Sequence, residues 1–399
     1  MSASLSTYLN FWRWFAAFLV VIGHVRHLVL VDFKDVTHKT LFSKGIYFMT
    51  GLGHEAVVLF FVISGFLVGG LTLARWRSAG AADLRSYSSA RFSRIYVVLI
   101  PALFIGLALD SFGLGWFNAS ELYTNSVRYQ TISLNNVISD AIGWPTFLGN
   151  LLMMQGILVG SLGSNGPLWS LSYEWWYYCL FALSAAALTD TGYKRVGYAV
   201  FALVIASLLP VKLLLWGVFW VLGAATYAWI KSSWWRPHPV LGNVVLLLAL
   251  AISRLSHNVD NVANRESLGT AFFRDLMLAV AFAWALASVS RMTTPIPLRR
   301  LHEWLADFSY STYLFHFPAM LLAVAVGYQV FGFGFRLQPG LAGLAYFLAL
   351  TIALYLYCFG CSLFTERYTN TVRKRLYGFM GQVGLALGMS QHVVKPRSD

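Results

Sequence analysis

Charge is what this sequence has least of. Asp, Glu, Lys and Arg make up 11% of its 399 residues, against about 25% in a soluble globular domain. A chain so short of charge cannot cover a water-facing surface, which excludes an ordinary soluble fold. Cysteine is scarce as well. Cys179, Cys358 and Cys361 all lie in apolar stretches, so no disulfide framework is expected. Cys358 and Cys361 have CxxC spacing but no second pair to complete a zinc site, and no metal centre is expected. There is no Gly-x-Ser-x-Gly elbow, P-loop or dinucleotide fingerprint. Linkers, low-complexity segments and internal repeats are lacking too. Acidic residues number 16 against 29 Lys and Arg, a net charge of +13. That excess does not point to nucleic acid, because the basic residues sit in short loops between apolar runs.

What fills the chain is apolar sequence, 58% of it hydrophobic. A transmembrane helix needs roughly 20 mostly apolar residues, and such runs recur from end to end. The 15 Trp, 20 Tyr and 30 Phe suit interfacial belts and apolar packing. The expected fold is all-α and polytopic, with about ten transmembrane helices near 10–31, 53–74, 95–117, 168–188, 196–211, 213–230, 239–256, 271–289, 304–326 and 341–364. With both termini cytoplasmic, 18 of the Lys and Arg fall on the inner side and 7 on the outer, the bias of a positive-inside protein. The first run carries Arg13, His24, Arg26 and His27, so it is expected to be a span and not a signal peptide. The stretch 146–161 is broken by Gly149, Gly156 and Gly160. Counted as a span it would reverse every later loop, so a re-entrant or half-depth segment is expected there. One membrane domain over 1–365 is followed by a basic cytoplasmic tail, 366–399, mildly amphipathic through Met389 and expected to lie on membrane lipid.

Ionisable groups inside a bilayer are costly and are functional candidates by default. Arg13 and His24 are eleven residues apart in the first helix. That is about three turns, so they share a face some 16 Å apart along the axis. Ser64, Gly65 and Gly69 in FFVISGFLVGG permit close helix approach. Arg91 and Arg94, one turn apart at an expected helix N-terminus, would make a phosphate-type anion site. Glu174 follows Trp169 and Tyr173 in the first turns of the fourth span. Ser309, Tyr313 and His316 form an i, i+4, i+7 stripe beside a kinking Pro318. His27 and Asp32 have the His-x4-Asp spacing of a different acyltransferase group, but they straddle a helix end with nothing downstream in support.

Together these segments resemble the acyltransferase-3 family of bacterial membrane O-acyltransferases. The resemblance covers roughly 5–365. It rests on the Arg13–His24 spacing, FFVISGFL at 60–67, RFSRIY at 91–96, WSLSYEWWYY at 169–178 and FSYSTYLFHFP at 308–318. It implies transfer of an acyl group, usually acetyl, from cytoplasmic acetyl-CoA to a hydroxyl of a sugar or glycan. The acceptor would be a surface polysaccharide or its lipid-linked precursor, at the bacterial inner membrane. Some relatives carry a fused extracytoplasmic SGNH domain, for which no segment is expected here. The implied residues are His24 and Glu174 as catalytic groups and Arg13, Arg75, Arg91 and Arg94 for the donor. Ser64, Trp169, Tyr173 and His316 are expected to line the substrate cavity. His24 would act as general base or transient acyl carrier, with Glu174 orienting it or binding the acceptor. A longer acyl group such as succinyl stays open. The alternative is a secondary transporter or flippase for an anionic or glycan substrate, against which stands the lack of an inverted repeat.

Overall fold

The structure is a computed structural model that describes residues 1–125, 137–232, 235–259 and 267–386, without the side chains of 257–259 and 383–386. Among these residues the secondary structure is helical, with no strand. The elements are α1 (Ala3–Val29), α2 (Leu41–Met49), α3 (Gly53–Ser64), α4 (Leu71–Ala79), α5 (Leu84–Trp116), α6 (Trp144–Leu151), α7 (Leu168–Thr189), α8 (Gly192–Leu208), α9 (Val211–Ser232), α10 (Pro239–Val259), α11 (Leu268–Val289), α12 (Arg299–Asp307), α13 (Ser309–Phe331), α14 (Leu341–Phe364) and α15 (Thr369–Ala386).

Long helices stand at all ten expected places. Eight are long and apolar enough to cross a membrane. Two fall outside that set. Helix α8 has 17 residues, and α7 opens on Ser, Tyr, Glu and Trp, which lower its hydropathy. The second span runs from α3 through a π-helical stretch, Gly65–Gly70, into α4. The expectation of close approach here holds. A Cβ at Gly65 would collide with the Trp220 carbonyl of α9, and one at Gly223 with the Val62 carbonyl of α3. The two backbones meet where neither carries a side chain.

Three boundaries differ from expectation. Arg91 and Arg94 are not at a helix N-terminus: α5 begins at Leu84, where the Asp83 side chain accepts from the Ser86 amide. The polar sequence 84–94 looks like a loop but continues the helix inward, so both arginines lie two to three turns inside it. The free amides of a first turn are therefore not part of their site. The span expected at 304–326 is two helices. The charged α12, with Arg299, Arg300, Glu303 and Asp307, breaks at Phe308 before α13 starts at Ser309. The segment 146–161 is not a continuous helix. Helix α6 has 8 residues, about 12 Å of rise, too short to span. The chain after it is irregular, and side chains satisfy its backbone. Asn150 donates to the Gly160 carbonyl at 2.9 Å and accepts from the Leu162 amide at 3.1 Å. Buried Asp110 of α5 accepts from the Ser164 amide and hydroxyl, both at 2.7 Å. Non-helical backbone at depth survives only with such partners.

Helix α1 lies against α3, α11, α12, α13 and α14, and is therefore central. Helix α15 packs along α5. The tail thus joins the helical body as far as Ala386, and Met389 and the rest of the expected amphipathic stretch lie outside the described residues. So do Arg128 and Arg265, two of the seven cations expected on the outer side.

Candidate active site

A cavity of about 840 Å³ opens between α1, α3, α5, α7, α12 and α13, with the α14–α15 junction as its remaining wall. It brings together Arg13, Ser64, Arg91, Arg94 and Glu174, five residues singled out in the sequence. They come from four helices, and each is held by a partner or a ring.

Arg13 donates to Asn10 Oδ1 at 3.3 Å and to the Ala306 carbonyl at 3.4 Å, both long contacts. The Arg91 guanidinium lies 5.5 Å from the Tyr178 ring centre and 5.8 Å from that of Tyr87, within cation–π range. Its Nε has no hydrogen-bond partner. Arg94 is differently placed. It donates to Glu366 Oε1 at 2.6 Å and lies 4.8 Å from the Tyr310 ring centre. The other oxygen of Glu366 accepts from the Ser311 amide and hydroxyl at 3.0 and 2.9 Å. Arg94 thus has its charge matched inside the protein.

Glu174 Oε1 accepts from the Tyr178 hydroxyl at 2.6 Å. The Tyr178 proton is thereby used, so at the 3.2 Å contact with Ser64 Oγ the serine donates. Ser64 Oγ in turn accepts from the Trp220 indole N–H at 3.1 Å. The chain Trp220–Ser64–Tyr178–Glu174 ends in one hydrogen bond donated to the carboxylate, whose side chain lines the cavity.

His24 does not itself line this cavity, and its partner is on α13, one turn beyond the cavity-lining Tyr313. His24 Nδ1 is 2.8 Å from His316 Nε2. The ring centres are 5.2 Å apart and the planes differ by 4°. Those values put the two nitrogens on the line between the ring centres, so the rings sit edge to edge in one plane. His316 Nδ1 faces the carbonyls of Thr312 and Tyr313 at 2.9 and 3.0 Å. Carbonyls only accept, so His316 Nδ1 carries a proton. In the neutral ring its Nε2 is then an acceptor, and His24 Nδ1–H donates to it. The remaining lone pair of His24 is on Nε2. His316 is fully buried, whereas His24 keeps part of its surface accessible. Tyr313, one turn before His316, lines the cavity and packs on Phe60 with ring centres 5.9 Å apart.

Four sequence candidates stand elsewhere. Arg75 is exposed on α4 and outside the cavity. Trp169 packs edge-on against Tyr173 and Trp216, each at 5.2 Å, and neither Trp169 nor Tyr173 lines the cavity. His316 meets His24 and not the cavity. The orienting partner at His24 is therefore His316, and Glu174 has Tyr178 instead. Asp32, of the rejected His-x4-Asp pair, is bound by Arg336 at 2.8 Å. Sequence reasoning missed Tyr178, Tyr310 and Glu366. Tyr178 follows Glu174 by four residues, a spacing that puts both on one helix face. Glu366 gives no local signal, because its partner Arg94 is 272 positions away.

Residues 6–386 match the family described as an acyltransferase domain, acyltransferase-3. The chain belongs to that family. It is an integral-membrane acyltransferase. Among curated proteins it is similar to the acyltransferase MdmB of Streptomyces mycarofaciens, 24% identical over 369 residues, 84% of this chain and 81% of that one. No solved structure matches it. In this acyltransferase, then, an imidazole oriented by a second imidazole stands near a cavity whose walls carry arginines.

Proposed function

We propose that this acyltransferase moves an acyl group, acetyl in the first instance, from cytoplasmic acyl-CoA to a hydroxyl of a sugar or glycan. The acceptor class is a surface polysaccharide or its lipid-linked precursor, and the site of action is the bacterial inner membrane. The observation that most supports this reading is the His24–His316 contact. An acceptor hydroxyl needs a base at neutral pH, and His24 Nε2 carries the unshared pair that a base requires. The cavity supplies the other half. It is lined by cations where a charged donor would enter and by Phe60 and Tyr313 where a thioester arm would end. Arg13 and Arg91 are its donor-facing cations, and Glu174 is available to an acceptor hydroxyl.

In the proposed step His24 Nε2 takes the hydroxyl proton as the oxygen attacks the thioester carbonyl. A C–O bond forms and the C–S bond breaks. The thiolate leaves as the thiol after taking that proton from the imidazolium. His24 is neutral before and after the reaction, so the imidazolium is needed only transiently.

Thermal unfolding of the purified protein in detergent, with and without acetyl-CoA, tests the donor. A ligand bound only to the folded state at 100 times its Kd adds about 2.7 kcal/mol. A stabilisation of that order that persists in His24→Ala, together with loss of acetyl transfer in that variant, is expected. Transfer at full rate by His24→Ala, present in the membrane at normal abundance, would remove His24 from the chemistry. No shift with acetyl-CoA or longer acyl-CoAs would remove the donor.

A further inference from the structure

The mouth of the cavity is built by residues that follow the last apolar helix. After Glu366 the chain makes one 3-10 turn, Glu366–Tyr368, and enters α15. Arg367, Asn370 and Arg373 succeed one another at intervals of three, share a face, and all line the cavity. All three are exposed.

This wall is held in place at both ends. Glu366 is tied to Arg94 and to Ser311. Farther along α15, Arg85 of α5 donates from Nε and Nη2 to the Tyr377 carbonyl at 2.9 and 2.6 Å, and its guanidinium stacks 4.0 Å from the Tyr377 ring centre. The segment between these fastenings is a fixed rim, not a loose tail.

The charges along the cavity are uneven. Arg94 is matched by Glu366, and Glu174 and Asp307 also face the interior. Among the described residues neither Arg367 nor Arg373 forms an ion pair. Arg13 and Arg91 line the cavity without an ion pair, but with Arg94 they are three cations facing the three carboxylates Glu174, Asp307 and Glu366, so the excess positive charge is that of Arg367 and Arg373 at the rim. An acyl-CoA has the opposite layout. Its phosphates are at the nucleotide end, and its thioester is at the far end of an uncharged arm. Seated with the arm pointing inward, it meets cations at the rim and aromatic side chains at depth. Phosphate placed beside Arg94 would instead have to face the Glu366 carboxylate.

We infer that Arg373 and Arg367 bind the nucleotide phosphates of the acyl-CoA donor, while the Arg94–Glu366 pair anchors that rim and does not itself take phosphate. The inference rests on the donor reading given above. The test is titration of the full-length protein in detergent with acetyl-CoA. The double variant Arg367→Gln with Arg373→Gln is expected to bind about tenfold more weakly or worse, as two charge-assisted hydrogen bonds are lost. The variant Arg367→Lys with Arg373→Lys keeps the charge, and since Lys binds phosphate as a point charge it is expected to lose clearly less than the glutamine variant. An unchanged Kd in the glutamine variant overturns the inference and leaves the donor reading intact. Equal losses in the glutamine and lysine variants also overturn it, because they mark a packing role. Absence of acetyl-CoA binding by the wild type overturns both.

Discussion

His24 Nδ1 and His316 Nε2 meet at 2.8 Å in a common ring plane, and the two carbonyls behind His316 give that contact a single polarity. A histidine that serves as a general base, the role proposed for His24, is often oriented by a carboxylate. At membrane depth a carboxylate would have to be desolvated, at several kcal/mol. A second imidazole oriented by backbone carbonyls does the same directional work without a charge. It also explains how His316 can be wholly buried and still satisfied, since both of its nitrogens are used.

His316 should therefore act on rate and not on donor affinity. For His316→Ala, kcat for acetyl transfer is expected to fall about tenfold or more, the worth of one well-placed hydrogen bond at a base. The apparent KM for acetyl-CoA should stay at the wild-type value. Steady-state assays over a range of acetyl-CoA concentrations separate the two. A defect entirely in KM would mean that His316 shapes the cavity and does not orient His24.

The Arg94–Glu366 pair should matter to stability. Glu366→Gln keeps an oxygen for Ser311 but leaves Arg94 unmatched. Arg94 is 30% exposed at its side chain and Glu366 is 6% exposed, so solvent tempers the penalty, and about 1–3 kcal/mol is expected. Adding Arg94→Gln should return part of it. A double-mutant cycle on unfolding midpoints checks this. Strict additivity of the two single effects would show that the pair carries no coupling.

Gly65→Ala should damage the α3–α9 contact, because its methyl would run into the Trp220 carbonyl. Overpacking of this kind costs about 1–3 kcal/mol. Gly360 of α14 has nothing within 4 Å of a built Cβ, and Gly360→Ala should leave stability unchanged or slightly raised. The midpoints of the two variants, measured side by side in detergent, give the comparison. A harmless Gly65→Ala would mean that α3 and α9 separate easily.

How far the site could be read from sequence depended on where its partners lay along the chain. Arg13 and His24 share one helix, so their common face followed from the helical repeat. The polar stripe Ser309–Tyr313–His316 likewise marked a face turned toward protein. That this stripe ends on His24 did not follow, since the two histidines are 292 positions apart and only packing of α13 on α1 joins them. Arg94 stood out as a costly cation, while Glu366 looked like the first residue of a tail. The polar turns 84–94 were misread because composition alone could not tell a loop from a helix that enters the protein beside α15. The break at Phe308 was missed for the opposite reason: Trp304 and Leu305 made the charged α12 look like the start of a span.

Helix α1 is unbroken from Ala3 to Val29, and this has a metric consequence. Arg13 and His24 ride on the same rigid rod, about 16 Å apart at the helical rise. No hinge between them lets one approach the other. On the proposed reading the rod would work as a gauge: a donor gripped at one mark, Arg13, would deliver its carbonyl to the other, His24, only if its linker had the matching length. Inserting a full turn into α1 between the two marks would lengthen the gauge by about 5.4 Å while keeping both residues on their original face.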